Sequence, residues 1–332
     1  MKKSEFHVRA VKIFILDHII AIVLILLILF LSLAAPSFLT VTNWLNILKA
    51  ISMKGVIAFG MTMVIIAGQI DLSIGSVVAI GGVIAAFACE NLPGMSGMSL
   101  TAAAIIGMLA AVILSGGLGA FHGFFQVRCG MPAFIITLAT QLFLYGLAGI
   151  ICGGFPIAGK MPDWFNHIGV GRVGNIPIPA IILVIIFLIS FFVMGYTRIG
   201  RAVYAVGGNA EAARLAGINV MTTEIFCFAA TAVFATIGGF INSAQVLQAT
   251  FNFGRGWETD VISAVVIGGT SMTGGVGRIS GTMLGIIFIG VIANGMTLLD
   301  VSVYMQYVIR ATLLFCAVLL SIFLPKLKQK IS

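Results

Sequence analysis

The sequence predicts an all-α, polytopic membrane protein with about ten transmembrane helices and both termini in the cytoplasm. Three observations carry that prediction. Only 8% of the 332 residues are charged and 60% are hydrophobic, whereas soluble domains carry roughly 25% charged residues. A soluble fold of this size would have too few charges to keep its surface wet, a problem that a bilayer removes. The apolar residues gather into runs close to the ~20 residues that a helix needs to span a membrane. The Lys and Arg residues fall mostly between those runs, with a bias towards alternate loops.

The runs cover approximately 18–35, 50–68, 72–89, 100–120, 132–152, 177–196, 223–246, 260–272, 279–297 and 303–324. The third and the eighth are the least regular, because each begins directly at an acidic residue and is rich in Gly. The 40 glycines and 15 methionines suit the same class, since Gly lets membrane helices approach closely. With the N-terminus inside, Lys2, Lys3, Arg9, Lys12, Arg128, Arg198, Arg201, Arg214, Arg278, Lys326, Lys328 and Lys330 are cytoplasmic, twelve of the 18 basic residues. Lys49, Lys54, Lys160, Arg172, Arg255 and Arg310 fall elsewhere. Eight spans would also leave both ends inside. The whole chain, 1–332, reads as one transmembrane domain with an N-tail at 1–17, a polar cytoplasmic loop at 197–222 and a C-tail at 325–332. The apolar run after the basic N-tail is long for a signal peptide and lacks a clear small-x-small cleavage site, so it reads as a retained first helix.

The stretches opened by Asp71 (DLSIGSVVAIGG) and by Asp260 (DVISAVVIGG) echo each other. In the ten-span topology they start on opposite sides of the membrane, as inverted repeats would. The competing reading is that Val-Val-Ile-Gly-Gly strings are common in any membrane protein.

Several chemistries are excluded. The net charge of +8 is dispersed rather than gathered into a basic stripe with aromatic partners, which argues against nucleic acid. The five cysteines form no C-x-x-C pair and suit core packing. His7, His18, His122 and His167 are scattered and make no metal set. GFPIAGKM (154–161) nearly matches a phosphate-binding loop but ends in Met where a hydroxyl would reach Mg²⁺, and no strand precedes it. GGVGRISG (274–281) has the wrong spacing for a dinucleotide loop. No catalytic triad, metal set or cofactor motif is visible.

An ionisable group at membrane depth costs several kcal/mol and usually marks a site or a pair. Asp71, Glu258 and Asp260 are such groups, each at the mouth of an apolar run. Asp71 fits two roles, a carboxylate capping a helix start or part of a polar pathway. Glu258 and Asp260 are more than one cap requires. Arg310 lies within the last run and either snorkels or pairs with one of those acids. Asn294 is a further polar candidate within the ninth run. On the cytoplasmic side, Ala210 to Leu215 reads as a short helix with Asn209 as its N-cap and Gly217 as its C-cap. It is either a docking knob for a cytoplasmic partner or an ordinary interfacial loop.

The segments PSFLTVTNWLNIL, GMTMVIIAGQIDLSIGSVVAIGG, MPAFIITLAT, TRIGRAVYAVGGNAEAARLAGINV, WETDVISAVVIGGTSMTGGVGRISGTMLG and NGMTLLDVSVYMQYVIRATLLFCAVLL occur in order from Pro36 to Pro325. Together they resemble the permease subunits of ribose- and galactose-type ABC importers, with the ribose branch nearest. The resemblance implies a bacterial inner-membrane protein that passes a monosaccharide. It implies a cytoplasmic ATP-binding subunit, a second permease subunit and a periplasmic or tethered sugar-binding protein as partners, besides lipid. It places the ATPase-coupling element at Arg198, Arg201, Asn209, Glu211, Ala212, Ala213 and Gly217, and implies that this chain binds no ATP. Thr259 and Gln69 depart from residues common in that family, and which of Asn294, Gln306, Tyr304, Phe134 or Trp257 face the pathway stays open. The rival class is an ion-coupled secondary transporter using Asp71, Glu258 and Asp260; a permease for another small solute, such as a signalling furanose, lies within the family. An intramembrane enzyme has no visible nucleophile and base.

Overall fold

A computed structural model describes residues 19–331; the N-tail at 1–17 lies outside them, as does Ser332. The described residues form thirteen helices and four two-residue strands. In chain order the helices are α1 (Ile19–Ala34), α2 (Val41–Ile66), α3 (Ile74–Ser96), α4 (Leu100–Cys129), α5 (Ala133–Ile151), α6 (Asp163–Val170), α7 (Ile178–Tyr196), α8 (Arg198–Gly208), α9 (Ala210–Leu215), α10 (Val220–Val246), α11 (Trp257–Ile267), α12 (Ile279–Leu298) and α13 (Val303–Ile331). Eight of them, α2, α3, α4, α5, α7, α10, α12 and α13, are long and apolar enough to cross a bilayer. α1 has 16 residues.

Polar residues set the helix starts. Thr40 accepts the Asn43 N–H and opens α2 nine residues before the apolar run begins. Ser99 caps α4 through the Ala102 N–H. Asn219 caps α10 through the Thr222 N–H. A side-chain oxygen at this position satisfies a donor that the helix itself cannot.

One of the two irregular runs is borne out as a span and the other is corrected. The third run, which looked irregular, is the full-length helix α3 of 23 residues. The eighth is the helix α11, with only 11 residues, about 16 Å long at 1.5 Å per residue and too short to cross. The backbone is also helical throughout 325–331, so the expected C-tail continues α13.

α2, α3 and α10 form the inner layer: 78%, 78% and 61% of their apolar windows are buried, against 28% for each of α4, α5 and α7. α10 packs on α4, α2 and α3. Its contact with α4 is nearly backbone to backbone. A Cβ added at Gly119 would lie 2.5 Å from the Ala229 Cα, and one at Gly123 2.6 Å from the Ile225 Cα. Such close approach lets dispersion and polar contacts hold helices that gain nothing from the hydrophobic effect in lipid. Between the same helices, Thr236 Oγ1 donates to Ser115 Oγ at 2.5 Å. Gly119→Val is therefore expected to cost about 1–3 kcal/mol by overpacking, read as a lower melting temperature of the detergent-solubilised chain; an unchanged temperature would contradict this packing.

The segment 151–177 caps the end of the bundle opposite α8 and α9. Strand β1 (Ile157–Ala158) pairs antiparallel with β4 (Gln248–Ala249), β2 (Arg172–Val173) with β3 (Ile176–Pro177), and Asn166 Nδ2 donates to the Ala244 carbonyl at 2.8 Å. The near-match to a phosphate loop thus supplies a strand to a long-range two-stranded sheet. The opposite end carries Arg128, Arg198, Arg201, Arg214 and Arg278 and is called the basic end below.

Candidate functional site

The stretches opened by Asp71 and Asp260 do not start at opposite faces of the bundle. After Ile66 the chain turns at Gly68, whose φ is +86°, and the Gln69 N–H bonds back to the Val64 carbonyl. Residues 69–73 then run back into the bundle, where the Leu72 N–H donates to Thr137 Oγ1 at 3.1 Å. The start of α3 thereby meets the start of α11: a Cβ on Gly75 would lie 2.8 Å from Glu258 Oε2 and 2.7 Å from Tyr145 Oη. From there α3 leads to the far end, while the turn after α11 reaches the basic end. Two helix starts meet inside the protein, the arrangement of interrupted helices in membrane transporters.

Around this meeting point the acids divide among three surroundings. Asp71 is 1% exposed; its Oδ1 accepts the Ser73 N–H at 2.8 Å and the Ser73 hydroxyl at 2.6 Å. It braces the turn into α3 rather than occupying the N-cap position, which Ser73 holds. Nearby are two buried groups outside the predicted set. His122, 1% exposed, bonds Thr140 Oγ1 at 3.0 Å. Glu224 is also 1% exposed, and its Oε2 is buried without a hydrogen-bond partner among the described residues.

Glu258 lies on another face of α11. Arg255 stacks over the Tyr145 ring, 4.8 Å to its centroid, and over Phe251 at 5.9 Å. Glu258 Oε2 is buried without a hydrogen-bond partner among the described residues.

Asp260 faces a cavity of about 270 Å³ bounded by α2, α11, α12 and α13. Its polar lining includes Asn46, Lys54, Asp260, Asn294, Thr297 and Arg310, set among Ile and Ala side chains. Asp260 Oδ2 takes both Lys54 Nζ and Arg310 Nη1, the latter at 3.3 Å. The Asp260 side chain is only 7% exposed, against 28% for Lys54 and 32% for Arg310. Lys54 also lies 5.5 Å above the Trp257 ring, a contact that favours a cation. The snorkelling alternative for Arg310 is overturned, because its guanidinium turns inward to Asp260. A carboxylate at this depth is tolerable because it is paired twice; an unpaired one would be several kcal/mol worse. Asn294 is held at the rim by reciprocal bonds to Asn43, with Asn43 Nδ2 donating at 3.0 Å and Asn294 Nδ2 donating at 2.8 Å.

Lys54 was the principal omission. It stands outside the predicted set, although it sits within the second apolar run; a lone cation there is the available signal. The structure brings Asp260, Arg310 and Asn294 to one cavity, and places Asp71 and Glu258 elsewhere.

At the basic end, Thr197 caps α8 through the Gly200 N–H, a helix not expected from the sequence. Asn209 Oδ1 then accepts the Ala212 N–H at 2.9 Å to open α9. Gly217, with φ +82°, follows the end of α9 in a conformation that favours glycine. Arg198, Arg201, Glu211, Ala212 and Arg214 are exposed, and Arg214 pairs with Glu211 at 3.0 Å. Ala213 differs from these: it is buried against Val206 and Val220 and anchors α9 to α8 and α10. Leu215, outside the predicted set, is 82% exposed.

Residues 43–318 match the family described as branched-chain amino acid transport system / permease component. The chain belongs to that family. Among its relatives, the ribose import permease protein of Escherichia coli is 37% identical over 93% of this chain and 94% of that protein. The ribose import permease protein of Bacillus subtilis is 37% identical over 90% of each chain. The L-arabinose transport system permease protein of E. coli is 34% identical over 89% of this chain and 87% of that protein. No solved structure matches. The permease's relatives are thus transport components aligned along nearly their whole length, and the match spans α2 through most of α13, cavity and basic end included.

Proposed function

We propose that this permease is the membrane-spanning subunit of an ATP-driven, binding-protein-dependent importer of a monosaccharide, ribose or a similar sugar, in a bacterial inner membrane. The near full-length similarity to ribose import permeases carries the reading. In it, a cytoplasmic ATP-binding subunit docks on α9 through Glu211, Ala212 and the exposed Leu215, flanked by Arg198, Arg201 and Asn209. The sugar-binding protein delivers to the opposite end. A second permease subunit completes the pathway, and the open apolar face of α13, with Tyr304 and Tyr307 84% and 64% exposed, is available to it or to lipid. ATP hydrolysis belongs to the partner chain.

The cavity suits the cargo class. Its volume of about 270 Å³ lies just below the ~300–1,000 Å³ of pockets for drug-sized ligands, in keeping with a small solute. Amide and hydroxyl groups of Asn46, Asn294 and Thr297 can exchange hydrogen bonds with sugar hydroxyls. An ion-coupled carrier would instead use Asp71, Glu258 and Asp260 to take up its ion, and of these Asp260 is already engaged by two cations.

The test is uptake of labelled ribose in cells lacking their own ribose importer and expressing this chain with its cognate partners. ATP-dependent uptake, competed by unlabelled ribose more strongly than by galactose, is expected. Absence of ribose uptake with strong uptake of another solute would reassign the cargo. A reporter fused after Ser332 should be active only in the cytoplasm; activity only outside would invert the topology.

A further inference from the structure

Three backbone segments remote in sequence meet at the basic end in direct main-chain contact. Ile66 closes α2, Gly207 lies near the end of α8, and residues 271–277 make the turn between α11 and α12. The Ile66 carbonyl accepts the Gly275 N–H at 2.8 Å. A Cβ at Gly207 would overlap that same carbonyl oxygen and lie 2.7 Å from the Gly275 nitrogen. A Cβ at Gly274 would lie 2.6 Å from the Gly207 carbonyl oxygen and 3.0 Å from the Gly68 Cα. One turn earlier on α8, the Tyr204 hydroxyl donates to the Gly277 carbonyl at 3.0 Å. Burial holds that phenol above its ordinary pKa, so it stays a donor throughout the physiological range.

The helices tied to α8 here are the two that carry the central ion pair. Lys54 lies on α2, about 18 Å along the axis from Ile66, and Asp260 lies on α11, about 10 Å from its end, at 1.5 Å per residue. Contacts between main chains have no rotamers to yield, whereas long side chains at an interface would absorb a displacement. We infer that the Gly207 junction is a positioning element for transport: it makes α8 and the basic ends of α2 and α11 one rigid body, so that a displacement delivered at α8 and α9 reaches the Lys54–Asp260 pair without slack. The inference rests on the reading of α9 as the docking point of the ATP-hydrolysing partner.

A matched pair of substitutions tests it. Gly207→Ala puts a methyl group into the junction, whereas a Cβ on the adjacent Gly208 meets nothing within 4 Å. Each variant is purified as the assembled complex with its ATP-binding subunit and reconstituted. Recovery of that subunit, the ATPase rate and labelled ribose transported per ATP are then measured. Gly207→Ala is expected to retain the ATPase subunit at wild-type stoichiometry yet move at least fivefold less sugar per ATP, while Gly208→Ala stays within twofold of wild type. A merely structural defect would lower recovery and rate without changing the ratio. Tyr204→Phe, which removes one hydrogen bond and leaves the backbone free, is expected to lower the same ratio about threefold and decides the matter if Gly207→Ala does not insert. Wild-type ratios in Tyr204→Phe, or in an inserted Gly207→Ala, overturn the inference. Glu211→Lys, away from the junction, separates the two failures. If it leaves docking and uptake intact, the docking reading falls and the inference with it; if it impairs them while the junction variants are normal, the inference alone falls.

Discussion

Asp260→Asn is expected to reduce uptake at least tenfold and to lower the melting temperature of the solubilised complex. The substitution keeps the shape of the side chain and removes the one negative charge that, among the described residues, pairs with Lys54 and Arg310. Two cations would then face each other in a poorly solvated space. Removing one partner from a buried ion pair typically costs about 3–5 kcal/mol, a large share of a net stability of about 5–15 kcal/mol. Both cations are about a third exposed, which places the expected loss at the lower end of that range. The asymmetry of the cluster supplies the control. Lys54→Met leaves Asp260 still paired with Arg310, so its effect on uptake and melting temperature should be clearly smaller. If Lys54→Met were as damaging as Asp260→Asn, the twofold pairing of Asp260 would not be what holds this region together.

Glu211→Lys should also reduce uptake at least tenfold, for a different reason. Glu211 and Arg214 are exposed, and a surface pair of this kind contributes at most about 1 kcal/mol. The substitution makes the pair repulsive and places a cation in the first turn of α9, where a carboxylate suits the helix dipole, yet neither effect is large enough to unfold the bundle. The chain should therefore insert at wild-type levels while the ATP-binding subunit no longer co-purifies. Gly217→Val should act in the same direction, because φ at +82° forces a β-branched residue into a conformation about 1–2 kcal/mol above its preferred one. Normal uptake in both variants, measured at equal membrane levels, would show that α9 is not a docking element.

The parts of this fold legible in the sequence are those that the bilayer imposes locally. Apolar runs of span length, the polar N-cap at Asn209 and the glycine after α9 are short-range signals, and the helices begin and end close to them. The length of α11 was not legible, because the apolar pattern runs on through Val266 and Ile267 to Gly268 and Gly269, and only the turn at Gly269, with φ +88°, stops the helix. α2 is longer at its start than its apolar run, since Asn43, Trp44, Asn46 and Lys49 hide its first two turns within a polar-looking stretch. Lys54 therefore lies near the edge of the apolar run although it is well within the helix. The meeting of Gly75 with Glu258, and the pairing of Lys54 with Asp260 across 206 residues, are long-range contacts without a local signature. Arg310 could be named as a candidate from its depth in an apolar run, but its partner could not, because three acids were available and only the packing of α13 on α11 selects one.

The most direct test of the central claim is uptake of labelled ribose into proteoliposomes that hold the purified permease with its ATP-binding subunit, with the sugar-binding protein outside. Uptake that requires ATP on the side of the ATP-binding subunit and persists when ionophores collapse all ion gradients is the predicted result. Uptake by the permease alone, driven by a proton or sodium gradient and indifferent to ATP, would contradict the account.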